Sequence, residues 1–104
     1  MYETAEKKER VILVGVSLAD SDDAEQSLNE LEELADTAGA LCVGRILQKR
    51  EQMHPATYLG RGKTEELKDL IWETRADGII CDDELSPSQI GNLRDELDVK
   101  IMDR

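Results

Sequence analysis

The sequence predicts an α/β domain built on a small, open, four-stranded parallel sheet. Strand-like and helix-like segments alternate in the order β-α-β-loop-α-β-α-β, which is typical of parallel sheets with right-handed crossovers. The two most apolar segments, residues 11–16 and 78–81, are continuous apolar runs, as expected for strands covered on both faces. These two strands should be central, which favours the spatial order 2-1-3-4. The first helix would then lie on one face of the sheet and the other two on the opposite face.

The length of 104 residues fits one small domain with one modest core. Residues 1–9 are polar and are predicted to form a flexible lead, so the domain covers residues 10–104. Phenylalanine is absent and only three residues are aromatic. The core must therefore be built mainly from leucine, isoleucine, valine and alanine. The first strand is predicted over residues 10–16, RVILVGV.

A polar turn over residues 17–23 leads into the first helix, which Ser21 can cap. Apolar residues at spacings of three and four give this helix one buried stripe, and Gly39 ends it. The second strand, residues 41–47, is more polar than the first and should lie near a sheet edge. If the order is 2-1-3-4, a crevice opens between the first and third strands, lined by residues 17–20 and 82–84.

A polar loop follows over residues 48–57, and Tyr58 and Leu59 are predicted to add a short strand. Residues 63–74 form the second helix by their apolar spacing. Trp72 lies beside the inner stripe of that helix and is interpreted as a half-buried packing residue.

The third strand, residues 78–82, leads to a strong helix-start signal. Ser86 is the predicted cap, Pro87 occupies the first turn and Gln89 completes a capping box. The last strand is predicted over residues 99–102.

Several classes of function are disfavoured by composition. No segment approaches the length of an apolar membrane span, and the first residues do not resemble a signal peptide. Cys42 and Cys81 lie in strand-like runs and are interpreted as two buried free thiols, which suits a reducing, cytoplasmic setting. His54 is the only histidine, so neither a catalytic triad nor a histidine metal site is expected. We predict no catalytic residue, no metal and no cofactor, and therefore a binding module.

Positive charge is concentrated in one part of an otherwise acidic chain. The chain has a net charge of −11, yet residues 45–63 carry five basic residues against one acid. A basic segment in a like-charged body directs polyanions to one place. The candidate binding residues are the bases and glycines of this segment: Arg45, Lys49, Arg50, Gly60, Arg61, Gly62 and Lys63. The alternative interpretation is a charged strand edge that prevents aggregation.

The glycine turn Gly60-Arg61-Gly62-Lys63-Thr64 superficially resembles a nucleotide phosphate loop. That motif requires a glycine five residues before its second glycine, and Thr57 stands there. Two interpretations remain. The turn is either only a tight start to the second helix, or it also presents Arg61 and Lys63 to a phosphate backbone near a helix N-terminus.

An acidic cluster, Asp82-Asp83-Glu84, follows the third strand. Such a cluster can hold Mg²⁺ or belong to a phospho-accepting receiver domain. A receiver needs an acidic pair directly after its first strand, whereas this chain has Ser17-Leu18-Ala19-Asp20. The preferred interpretation is favourable electrostatics at the start of the third helix.

Several separated blocks together resemble the amino-terminal domain of the HflX family. In chain order they are VGR at 43–45, QKR at 48–50, PATYLGxGKxEEL at 55–67 and DDELSPSQ at 82–89. Residues 36–39 and 103–104 also fit. The resemblance extends over nearly the whole chain from the first strand onward.

This resemblance implies an α/β domain of a cytoplasmic, ribosome-associated GTPase. The family binds the large ribosomal subunit and is implicated in splitting or rescuing stalled ribosomes. It implies GTP and Mg²⁺ for a GTPase domain that lies outside these 104 residues, so we expect no enzymatic activity from this chain. The implied partners are ribosomal RNA of the large subunit and the protein's own helical and GTPase domains. The alternatives are an intramolecular regulator of the GTPase domain and a weak ATP-binding module.

Overall fold

The computed structural model describes residues 8–18 and 23–104, and in that part of the chain strands and helices alternate. In chain order the elements are β1 (Arg10–Ser17), α1 (Asp23–Thr37), β2 (Leu41–Lys49), α2 (Arg61–Thr74), β3 (Gly78–Cys81), α3 (Pro87–Leu97) and β4 (Lys100–Asp103). The strands form one sheet in the order β2-β1-β3-β4, and all neighbours are parallel. The predicted fold class and strand order are therefore confirmed.

The two faces of the sheet carry separate apolar cores. On one face, Val11 and Leu13 of β1 pack against Leu28 and Leu31 of α1. On the other face, a larger core joins alternate residues of β1 and β3 to α2, α3 and the loop before α2. The alternation along β1 sends Val11 and Leu13 to one side and Ile12 and Val14 to the other. The predicted placement of the three helices is therefore correct.

A β-bulge interrupts the pairing of β1 with β2. Val11 pairs with Cys42, but the next residue of β1, Ile12, pairs with Gly44, so β2 contains one extra residue at Val43. A bulge of one residue reverses which face each later side chain occupies. From Arg45 onward, the side chains of β2 therefore take the side opposite to the one they would have in an unbroken strand.

The capping residues at the start of α3 are those that the sequence predicts. Ser86 Oγ accepts a hydrogen bond from the Gln89 N–H at 3.1 Å, and Gln89 Oε1 accepts one from the Ser86 N–H at 2.9 Å. Pro87 occupies the first turn. This reciprocal capping box satisfies two amide groups that the helix itself leaves without partners.

Other predicted features differ in detail or lie outside the described residues. The predicted cap Ser21 and residues 19–20 of the crevice lie outside them, as do residues 1–7 of the predicted lead. Both cysteines are free, but only Cys81 is buried; Cys42 is partly exposed, against expectation. No helix in the described ranges, 8–18 and 23–104, is long and apolar enough to cross a membrane.

Candidate nucleic-acid interface

The loop between β2 and α2 is folded back on itself. The Arg50 N–H donates to the Ser17 carbonyl at 2.9 Å, which continues the line of β2 past its last residue. His54 and Tyr58 then form an isolated antiparallel bridge. Inside the bridge, His54 Nδ1 accepts hydrogen bonds from the N–H groups of Ala56 and Thr57 at 3.1 and 3.4 Å. The loop is therefore an ordered element and not the short strand predicted at Tyr58 and Leu59.

Three side-chain bonds tie this loop to the rest of the domain. Gln89 Nε2 donates to the His54 carbonyl and Asn92 Nδ2 donates to the Ala56 carbonyl, each at 3.0 Å. Both donors belong to α3. The third bond joins the Tyr58 hydroxyl to Asp83 Oδ2 at 2.5 Å. The loop is therefore held against α3 and the end of β3 before any ligand arrives.

Tyr58 is the centre of that attachment. Its side chain is fully buried, although its backbone has φ of 67°, a left-handed conformation that tyrosine rarely adopts. Burial raises the pKa of Tyr58 far above its ordinary value of 10.0, and the hydrogen bond to Asp83 raises it further. The hydroxyl therefore stays protonated and remains a donor to Asp83.

Two side chains approach Gly60 closely. Its N–H donates to Gln48 Oε1 at 2.8 Å, and a Cβ at this position would lie 2.3 Å from Arg50 Nη1. The Gly60 carbonyl accepts from both the N–H and the hydroxyl of Thr64, each at 2.9 Å. A glycine thus allows the Arg50 guanidinium to lie directly against the start of α2.

The N-terminus of α2 is open. Gly60 stands at its cap position without a side chain to cap the helix, and nothing lies within 4 Å of where a Gly62 Cβ would be. Arg61 is exposed, and among the described residues it has no ion-pair partner. Uncapped N–H groups, a positive helix end and an unpaired arginine all favour an anion.

The glycine turn is nevertheless not a phosphate loop. The N–H groups of Ala56 to Gly60 are all used inside the protein: by His54 Nδ1, the His54 carbonyl, the Thr57 carbonyl and Gln48 Oε1. A phosphate loop needs successive N–H groups turned towards the ligand. The favoured anion is therefore one that contacts the outside of the turn, such as a nucleic-acid phosphate.

The structure brings only part of the predicted cationic set together. Arg50, Gly60, Arg61, Gly62 and Lys63 lie at the start of α2, and we call these five residues the docking surface. Lys63 is also 2.8 Å from Glu66, an exposed pair of the kind that contributes little to stability. Such a pair can exchange for a phosphate at small cost.

Arg45 does not join the docking surface, contrary to the expectation that all the cations converge. It lies on the α1 side of the sheet, where Nη2 is 2.6 Å from Glu32 Oε1 and Nη1 donates to Asn29 Oδ1 at 2.9 Å. The bulge at Val43 explains this, because it shifts Arg45 to the other face. Lys49 pairs in register with Ser17. Because side chains alternate along a strand, Lys49 lies on the same side of the sheet as Arg45.

Two residues of the acidic cluster make specific bonds within the domain. Asp82 Oδ1 is 2.6 Å from Arg104 Nε, Asp83 accepts the Tyr58 hydroxyl, and Glu84 is exposed. No acid lies within the first turn of α3 itself, and the electrostatic role of this cluster ahead of the helix stays a prediction beside these two specific bonds. Across residues 8–18 and 23–104, no group of histidine, cysteine and acidic side chains is arranged to hold a metal.

Comparison with known proteins now decides the family. The family model described as GTP-binding GTPase N-terminal matches residues 25–104. The chain belongs to this family. It is 60% identical over its whole length to the GTPase HflX of Lacrimispora saccharolytica, covering 25% of that protein. It is 30% identical over its whole length to the GTPase HflX of Escherichia coli K12, covering 24% of it.

These comparisons confirm the resemblance to the HflX amino-terminal domain. The chain spans about a quarter of the length of the curated HflX relatives that it matches. A solved structure of an SsGBP mutation variant has the same fold, with a TM-score of 0.66 at 18% identity. That likeness covers 90% of this chain and 28% of the SsGBP chain.

Two features of this HflX domain were missed or misread from the sequence. Gln48, which fixes Gly60, carries no signal of its own apart from its place in the QKR block. Trp72 was expected to be half-buried, but its exposed fraction is 84%. The inner side of α2 is already filled by Leu67 and Ile71, and Trp72 is turned about 100° away from Ile71 around the helix.

Proposed function

We propose that this chain is the ribosome-docking domain of an HflX-type GTP-binding protein, and that it binds RNA of the large ribosomal subunit through the docking surface. In this role it contributes to ribosome splitting or rescue in the cytoplasm, while GTP and Mg²⁺ bind elsewhere in the protein. The observation that carries the proposal is the uncapped start of α2, where Arg50 lies against Gly60 and Arg61 projects unpaired.

The charge distribution supports RNA as the partner. Phosphate contacts need cations and backbone N–H groups at an accessible helix end, and the docking surface offers both. The rest of the domain has a negative net charge, which disfavours RNA contact over most of its surface. The fixed attachment of the loop to α3 means that little conformational entropy is lost on binding.

A sedimentation assay with purified large ribosomal subunits tests this proposal. We expect the chain to pellet with the subunits at low salt. If about three phosphates are contacted, affinity should fall roughly 40-fold between about 50 and 200 mM salt. The double variant Arg50→Glu, Arg61→Glu should weaken binding and lower the salt slope by about two, because each lost phosphate contact lowers it by about one.

Arg45→Gln is the matched control, because Arg45 is a cation of the same segment on the opposite face. It should pellet like the unmodified chain. Binding that ignores salt and is unchanged in the double variant would contradict the proposal. So would an equal loss of binding in Arg45→Gln.

A second candidate function is regulation of the GTPase domain by direct packing. A groove of about 470 Å³ between α1 and β2 supports it. Glu32, Glu33 and Asp36 line this groove beside the apolar side chain of Leu41, a combination that suits a basic protein surface and repels RNA. A change in GTP turnover of the whole protein in Glu33→Lys, with subunit pelleting unaffected, would favour this candidate.

A further inference from the structure

The exposed side of α2 carries a row of cations around its tryptophan. Arg61, Lys68 and Trp72 are spaced by seven and four residues, which places them on one face of α2. Arg75 is the left-handed residue at which α2 ends, and it lines the same groove as Trp72. All four are exposed, and Trp72 is the most exposed large apolar residue in the described chain. We call these four residues the α2 stripe. It begins at Arg61, which also belongs to the docking surface.

The charges on α2 are separated around the helix axis. The acids Glu66, Asp69 and Glu73 lie on a neighbouring face, roughly 80–140° around the helix from Arg61. Glu65 is the one acid on the same helix face as Arg61, Lys68 and Trp72, about 40° from Arg61. In the part of the chain that the structure describes, the stripe cations Arg61, Lys68 and Arg75 make no ion pair. In a chain with net charge −11, three cations without an ion pair along α2 and its C-terminal cap indicate a polyanionic partner.

A groove lies beside the indole ring. Its volume is about 780 Å³, and Ile71, Trp72, Glu73, Arg75 and Ala76 line it. The lining therefore combines an aromatic ring and small apolar side chains with one cation and one acid. A nucleotide has matching chemistry, since the face of its base stacks on an aromatic ring, its phosphate attracts arginine and an exocyclic amino group of its base can donate to a carboxylate.

We propose that the α2 stripe binds single-stranded RNA, with an unpaired base stacked on Trp72 and the flanking phosphates held by Lys68 and Arg75. This proposal rests on the RNA-docking function and extends it from the start of α2 along the helix. Its fourteen residues span about 21 Å, enough for several nucleotides. Tyr58, the aromatic residue next to the glycine turn, is fully buried and therefore cannot stack on a base.

The indole itself reports on this contact, because Trp72 is the only tryptophan in the chain. We expect a single-stranded RNA of about 12 nucleotides to quench the fluorescence of Trp72 in a saturable way. A duplex RNA of the same sequence should quench it far less, because its bases are already stacked. High salt should reduce the quenching, because it weakens binding of the RNA phosphates.

Single variants distinguish the contribution of base stacking to RNA affinity from the contribution of charge. By anisotropy of a labelled RNA, Trp72→Leu should bind about 5- to 100-fold more weakly, the range for losing one stacked base, whereas Trp72→Phe should retain most of the affinity. Lys68→Glu and Arg75→Glu should each weaken binding. Arg94→Glu, which reverses an exposed cation on α3, is the matched control and should have little effect.

The outcomes distinguish this proposal from the docking function. Absence of quenching, or equal RNA affinity in Trp72→Leu and Trp72→Phe, overturns the stacking proposal even if the chain still pellets with ribosomal subunits. Quenching by acidic lipid vesicles but not by RNA would also overturn it. Failure to pellet with subunits, accompanied by Trp72 quenching on free RNA, overturns the ribosome assignment and leaves the stacking site intact.

Discussion

Replacing Tyr58 with alanine is expected to lower the free energy of unfolding by about 3–5 kcal/mol, the range for removing a large aromatic side chain from a core. Tyr58 is fully buried, and its hydroxyl joins the loop after β2 to Asp83 at the end of β3. The variant loses both the packing and this attachment. Urea unfolding followed by circular dichroism measures the change. Subunit binding should fall with it, because Gly60 and Arg61 stand only two and three residues after Tyr58.

Tyr58→Phe is the control that separates the two contributions. It keeps the ring and removes only the hydroxyl, so we expect a loss of about 1–3 kcal/mol, the range for losing a hydrogen bond to a charged group. The order of stability should be the unmodified chain, then phenylalanine, then alanine. An alanine variant as stable as the phenylalanine variant would show that the ring does not anchor the loop.

Alkaline pH is expected to destabilise the domain steeply. Burial raises the pKa of the Cys81 thiol far above its ordinary 9.0, and burial with the Asp83 hydrogen bond raises that of Tyr58 above 10.0. Above these ordinary values the unfolded chain releases protons that the folded chain retains. Stability should therefore be fully present below about pH 9 and decline by about 1.4 kcal/mol per pH unit for each group.

A series of urea unfolding curves from pH 8 to pH 11 measures this decline. Cys81 contributes from about pH 9, where the raised pKa of the partly exposed Cys42 thiol adds to the loss, and Tyr58 contributes above about pH 10, so the slope should steepen there. The double variant Cys81→Ala, Tyr58→Phe should be less stable at every pH but should lose much less stability between pH 9 and 11. An unchanged slope in that variant would show that other groups cause the alkaline loss.

The sheet could be predicted from sequence because its signals are local and mutually consistent. The continuous apolar run of β1 indicates a central strand, and the Ser86, Pro87 and Gln89 pattern sets the start of α3. Each signal needs only its own segment and the general rules of parallel sheets. The strand order and the face of each helix follow from those same rules.

The candidate site was harder to predict because it depends on pairing and packing between segments that are distant in the sequence. A bulge at Val43 arises from how β2 meets β1, and it moved Arg45 away from the other cations. The left-handed conformation of Tyr58 is held by contacts with α3 and β3, so its apolar character alone suggested a strand. Trp72 is apolar and adjoins Ile71, but α2 had no inner position left for it.

Site-specific photocross-linking to the large ribosomal subunit tests the central claim most directly. A benzophenone side chain placed at position 62, where the Cβ site faces open space beyond the neighbouring backbone of α2, should cross-link to ribosomal RNA. The same group at position 34, on the exposed side of α1, should give little or no RNA cross-link. RNA cross-links from position 34 and none from position 62 would contradict docking through the start of α2.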